Sequence, residues 1–166
     1  YGDIPLIEGY LEPYIKVDNK IQSFKSYLYN WVSDQGNKDK IIIVFGEPGH
    51  GKTSLCYKAM YDHYKEGWLS GLVQNVFHIS LNPSSTDALR GGKLDIKDLL
   101  FWGEIRQNKL EVEDFNDALV FFDGFDELID SKPELRIADF INTLVSGFVD
   151  DTNAKVVITS RRMGIE

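Results

Sequence analysis

Residues Gly46-Glu47-Pro48-Gly49-His50-Gly51-Lys52-Thr53 have the types and spacing of a loop that wraps phosphate. An apolar run, residues 41–45, leads into it, and a helical pattern over residues 54–65, opened by Ser54, leads out. Context decides the reading. A strand that ends in a glycine-rich turn aims successive backbone N–H groups at one point, and the helix that follows adds the positive end of its dipole. The amides of residues 49–54 would then hold phosphate oxygens. Lys52 would reach the outer phosphates, and the Thr53 hydroxyl would ligate Mg²⁺.

A second group of chemical residues ends another apolar run, Leu119-Val120-Phe121-Phe122-Asp123-Gly124-Phe125-Asp126-Glu127. A carboxylate at the C-terminal end of a buried strand sits where open α/β sheets take their ligands. Asp123 is placed to hold Mg²⁺, directly or through water. Gly124 lets the chain turn sharply beside the phosphates. Asp126 and Glu127 bring further acids to the same rim, where a divalent ion or an arginine would offset their repulsion. One acid beyond the metal ligand can orient or deprotonate an attacking water. Glu127 is assigned that role, with Asp126 supporting it. The same acids, with Asp130, also suit the first turn of a helix, where the dipole favours negative charge. The third group is Thr159-Ser160-Arg161-Arg162, after the apolar run 156–158. If that strand lies beside the first, Arg161 projects towards a terminal phosphate and can report its presence; Arg162 is the alternative.

Positioning these groups requires alternating strands and helices. Apolar runs at residues 41–45, 74–81, 118–122 and 155–159 read as buried strands. Helical periodicity covers residues 18–33, with Asp18 or Asn19 as cap and Ile21, Phe24, Leu28 and Trp31 on one face. Further helical patterns cover 94–105 and 133–148, the latter with Pro133 in its first turn. The alternation predicts an α/β fold: a parallel sheet covered on both faces. Residues 1–17 read as an extended lead-in and 18–166 as one core. Because the last residues lie just past the fourth strand, the chain is expected to be part of a longer protein.

Composition narrows the classes. The chain has 166 residues and a formal net charge of −8, which speaks against a nucleic-acid surface. A triphosphate must therefore be attracted locally, against the overall field. No run has the length of a membrane span and no leader pattern is visible, so the expected compartment is the cytoplasm. Cys56 is the single cysteine and reads as a small packed residue. His50 offers backbone rather than side chain; His63 reads as a peripheral group and His78 as a structural strand residue. None of the three histidines stands at metal-ligand spacing from Cys56 or another ligand.

Together the loop at 46–53, the Asp-Gly-Phe-Asp-Glu run at 123–127 and Thr-Ser-Arg at 159–161 resemble the NACHT family within the STAND class of P-loop ATPases. The Tyr10-Leu11-Glu12-Pro13-Tyr14 segment is similar to the lead-in of prokaryotic members. The resemblance implies a three-layer P-loop NTPase of ASCE type with strand order 5-1-4-3-2, the fifth strand lying outside this chain. It implies ATP or ADP with Mg²⁺ as ligands, and Tyr10, Tyr14 and Ile15 as candidates for the adenine pocket. The full-length protein would carry a lid, a sensor and an effector. It would exchange ADP for ATP on triggering, hydrolyse slowly, and form homo-oligomers in innate immune or antiphage defence. This chain departs from the pattern in having no lid histidine.

Two other functions compete. One is a nucleotide-gated interaction module without turnover. The other is a P-loop kinase for a small molecule, which would need an arginine-rich lid. Only Arg90, Arg106 and Arg136 lie between the loop helix and the fourth strand. ATP is preferred to GTP because neither Asn37-Lys38-Asp39-Lys40 nor Asn108-Lys109-Leu110-Glu111 is placed to read guanine.

Overall fold

The apolar runs do become strands, and their alternation divides the core. The computed structural model describes residues 12–81, 111–131 and 136–162. Four parallel strands form the sheet: β3 (Ile41–Phe45), β4 (Val76–Ser80), β5 (Leu119–Asp123) and β6 (Lys155–Ser160). Their spatial order is β3-β6-β5-β4. Counted along the chain this is 1-4-3-2, so the loop strand and the acid strand flank the arginine strand, as the family resemblance implied. In β5, Val120 and Phe122 pack to one side with Phe115, Phe125, Phe140 and Phe148. Leu119 and Phe121 pack to the other side with Leu28, Leu55, Cys56 and Ala59. A strand buried on both faces needs apolar residues at every position, which is why the run is unbroken.

Helix α1 (Phe24–Ser33) and helix α2 (Lys52–Glu66) cover the second of those faces. The first is covered by α3 (Phe125–Ser131), α4 (Ile137–Leu144) and a 3₁₀ turn at Val112–Phe115. Helix α4 runs on through a π turn, Val145–Val149, to a last helical turn at Asp150–Thr152. The helix predicted over 133–148 is seen from Ile137 and runs on past 148 to Thr152; residues 133–135 and the predicted helix over 94–105 lie outside the described residues. The strand predicted over 74–81 is shorter, because Gln74 and Asn75 precede the ladder.

One expectation is overturned. Asp18 and Asn19 do not cap a helix; they form the turn of a hairpin. β1 (Tyr14–Val17) pairs antiparallel with β2 (Lys20–Ser23), and Val17 faces Lys20. The two connecting residues have φ of 47° and 64°. A two-residue hairpin turn of this kind needs positive φ at both positions, and Asp and Asn tolerate it best after glycine. The short polar side chains that cap helices also serve such turns, so residue type alone did not separate the two. Helix α1 begins later, at Phe24, with Ser23 as its cap: Ser23 Oγ accepts from the Ser26 amide at 3.2 Å. Phe24, Leu28 and Trp31 are buried as the periodicity required, whereas Ile21 sits on the hairpin, 75 % exposed.

The far end of α1 is closed by a residue distant in sequence. Lys155, at the start of β6, is buried and donates to the carbonyls of Trp31, Val32 and Asp34. Its ammonium also lies 5.0 Å from the Trp31 ring centroid. Helix C-termini leave carbonyls unsatisfied, and a cation suits the negative end of the dipole. Burial pulls the Lys155 pKa down, and the nearby Lys40 adds to that. Replacing the ammonium while keeping the stem, Lys155→Met, removes a donor shared by three carbonyls. The expected loss is about 1–3 kcal/mol of unfolding free energy, read from the urea midpoint.

Candidate functional site

The loop of residues 46–51 is shaped by backbone first. Gly49 and Gly51 have φ of 81° and 76°, in the left-handed region that favours glycine. Open space surrounds the Cβ position of each, so conformation and not crowding demands glycine there. The loop is tied to the neighbouring strand by the Gly46 amide, which donates to the Ser160 carbonyl at 3.1 Å. Gly51 is the N-cap of α2 and has no side chain to close the helix end, so amides of its first turn remain for a ligand. Lys52 curls over the loop and donates to the carbonyls of Gly46 at 2.6 Å and Glu47 at 3.2 Å. Those bonds place its ammonium over the concave side.

Beside the loop is a cleft of about 630 Å³. All three sequence groups reach it: Lys52 and Thr53 from the loop helix, Asp123, Asp126 and Glu127 from the acid run, and Arg161 from the end of β6. Pro48, Gly49, Gly51 and Ser54 also line it. Gly46, Glu47 and His50 belong to the loop but do not line the cleft. Tyr14 is on β1, 71 % exposed and outside the lining. Arg162 is exposed and also outside it. Tyr10 lies outside the described residues.

Asp123 is held by three elements. Thr159 Oγ donates to its Oδ1, and His78 Nε2 lies 3.2 Å from its Oδ2. A further bond comes from Thr53. Burial, the largest single influence, pushes this carboxyl up. The bonds from His78, Thr159 and Thr53 together outweigh it and hold Asp123 below the usual carboxylate range. An ionised carboxylate beside a threonine hydroxyl at a helix N-terminus is a hard-oxygen donor pair of the kind that suits Mg²⁺. Thr159 Oγ also accepts from the Gly124 amide at 3.0 Å, which pins the turn after β5. Gly124 has φ of 89°, and a Cβ there would stand 3.1 Å from the Leu81 carbonyl oxygen.

Asp126 has both oxygens on Arg161: Oδ1 accepts the backbone amide at 3.0 Å and Oδ2 accepts Nε at 2.6 Å. The far side of the guanidinium donates to Asp130. These bonds hold the Arg161 pKa up. Asp126 and Glu127 do occupy the first turn of a helix, α3. That helix start also faces the cleft, so the structural and chemical readings of these acids are compatible.

Sequence reasoning passed over two side chains. Tyr57, one turn along α2, lines the cleft with its ring 4.7 Å from that of His78. The sequence reads His78 as a structural strand residue. One ring nitrogen does bond Asp123, but Nδ1 is buried without a partner. Along the chain no histidine stands at metal-ligand spacing from Cys56, but the fold brings His78 to it. Ligand atoms of Cys56, His78 and Asp123 lie within 4.8 Å of one another. Spacing along the chain could not show this. The register pairs His78 with Phe121 and so turns it, like Asp123, towards the α2 face. That signal needs the strand order first.

Among the described residues, no helix is long and apolar enough to cross a membrane. A search of curated proteins found no match for the chain. The family model of the NACHT domain matches residues 40–166, well over half of the chain. The matched span begins just before β3 and takes in the loop, the acid run and the arginine strand. This chain belongs to the NACHT family of STAND P-loop NTPases, and residues 40–166 are its nucleotide-binding domain.

Proposed function

We propose that the domain is an ATP/ADP switch with slow Mg²⁺-dependent hydrolysis, and that the bound nucleotide controls assembly of the full-length protein into homo-oligomers. Innate immune or antiphage signalling is the setting that the family resemblance suggests. The observation that carries the reading is the convergence of Lys52, Asp123, Glu127 and Arg161 on one cleft beside a left-handed glycine loop. Two cations, Lys52 and Arg161, reach that cleft together with three carboxylates, Asp123, Asp126 and Glu127.

In this reading the amides of residues 49–54 and the Lys52 ammonium bind the phosphate oxygens. Thr53 and Asp123 hold Mg²⁺, whose role is to neutralise charge on the outer phosphates. Glu127, on the rim, orients the attacking water and accepts its proton. Asp126 contributes through Arg161, whose Nε and backbone amide it fixes. A terminal phosphate competes with Asp126 and Asp130 for the guanidinium, which makes Arg161 a reporter of that phosphate.

Binding is tested by thermal shift with Mg²⁺ and ATP, ADP or GTP. Ligand at a hundredfold its Kd adds about 2.7 kcal/mol, on the order of 5–10 °C for a domain of this size. ATP and ADP are expected to raise the melting temperature and GTP is not. Lys52→Ala is expected to abolish the shift, and an unchanged shift in that variant would refute the phosphate assignment.

Hydrolysis is tested by single-turnover release of ADP. Glu127→Gln is expected to retain the thermal shift and to lose turnover by roughly 10²–10⁴-fold. Normal turnover in this variant removes Glu127 from its role. Undetectable ADP from the full-length protein over hours assigns the cleft to a gated interaction module instead.

A further inference from the structure

Behind the cleft, between α2 and the sheet, three potential metal ligands of different chemistry meet. Cys56 comes from α2, His78 from β4 and Asp123 from the end of β5. All three are buried. The His78 side chain is only 3 % exposed, and its Nδ1 has no hydrogen-bond partner. We propose that Cys56, His78 and Asp123 form a binding site for a borderline-soft divalent cation of the zinc type, distinct from the hard-oxygen Mg²⁺ position of the cleft.

Geometry, donor chemistry and charge each favour the site. Tetrahedral Zn²⁺ takes thiolate, imidazole and carboxylate at about 2.0–2.3 Å, which sets its ligand atoms roughly 3.3–3.7 Å apart. His78 Nε2 and Asp123 Oδ2 already stand 3.2 Å apart. Every pair in the cluster is within 4.8 Å, so closure needs an adjustment of about 1 Å at most. A sulfur, nitrogen and oxygen set suits zinc and is poor for Mg²⁺, which demands oxygen in near-octahedral array. One thiolate and one carboxylate neutralise a dication, with His78 as neutral imidazole, so the occupied site buries no net charge.

The binding step releases one proton. Without metal, Cys56 is a thiol that donates to the Lys52 carbonyl at 3.3 Å. Burial, and next the charge of Asp123, push its pKa well up. On coordination the S–H bond breaks, the proton goes to solvent, and the sulfur lone pair bonds the metal. Three protein ligands leave a fourth position for water. His78 and Asp123 also line the cleft, so the cleft supplies the path by which an ion enters. A soft ion that takes Asp123 Oδ2 draws on the carboxylate that the proposed Mg²⁺ site uses. On that reading of Asp123, soft metal and Mg²⁺–nucleotide bind antagonistically and reciprocally.

Cobalt(II) is the probe, because thiolate coordination gives it an intense near-ultraviolet charge-transfer band and tetrahedral geometry gives visible d–d bands. The chain contains one cysteine, so a thiolate band can come only from Cys56. Titration of the reduced chain with Co²⁺ is expected to give both bands at one equivalent, and excess Zn²⁺ to bleach them. Cys56→Ser is expected to lose the thiolate band. His78→Gln is expected to weaken Co²⁺ binding by about tenfold or more, with His63→Gln as an unaffected control. Circular dichroism of each variant separates lost ligation from lost fold. Absence of a thiolate band in the folded wild-type chain overturns the proposal, as does a band that His78→Gln leaves at full affinity. The titration contains no nucleotide, so its failure is distinct from failure of the switch assignment.

Discussion

The cleft depends on how one carboxylate is held. Asp123 is buried at the end of β5, where its charge is expensive. It stays ionised because donors come from three other elements: Thr53 from α2, Thr159 from β6 and His78 from β4. Hydrogen bonds to a charged group contribute about 1.5–3 kcal/mol each, so several together exceed the burial penalty. The same bonds fix the direction of the carboxylate. Thr159 serves twice, since its oxygen also accepts the Gly124 amide and so holds the turn that leads to Asp126 and Glu127.

β6 is the strut that makes this possible. It is flanked by the loop strand on one side and the acid strand on the other. Its first residue, Lys155, caps the C-terminal end of α1. At its last residue the Ser160 carbonyl accepts the Gly46 amide of the loop, and just beyond it Arg161 is clamped by Asp126. A shift of β6 would therefore disturb the loop, the acid turn and α1 together.

The buried cluster behind the cleft shows how one residue acquires two possible partners. Asp123 Oδ1 faces Thr159 and Oδ2 faces His78. Hard and soft donors thus meet across a single carboxyl group. The arrangement is a consequence of α2 packing flat on the sheet: the turn that follows the phosphate loop carries Cys56 and Tyr57 against the strand that bears His78.

Much was legible in residue order because the signals are local. The four apolar runs, the glycine loop and the helix after it depend on backbone conformation and on burial of both sheet faces, and each is written within a few residues. The three chemical motifs were readable for the same reason. Local signals also misled where one residue type serves two structures: Asp18 and Asn19 suit a helix cap and a hairpin turn alike, and pairing of β1 with β2 decided between them. What remained hidden involves residues far apart in the chain. The Lys155 cap on α1, the commitment of Asp126 to Arg161, and the meeting of Cys56 with His78 and Asp123 join positions separated by dozens of residues. Sequence determined which groups could do chemistry and on which elements they lie. Only tertiary structure decided which of them touch, because strand order and register set the partners and neither is a property of any short segment.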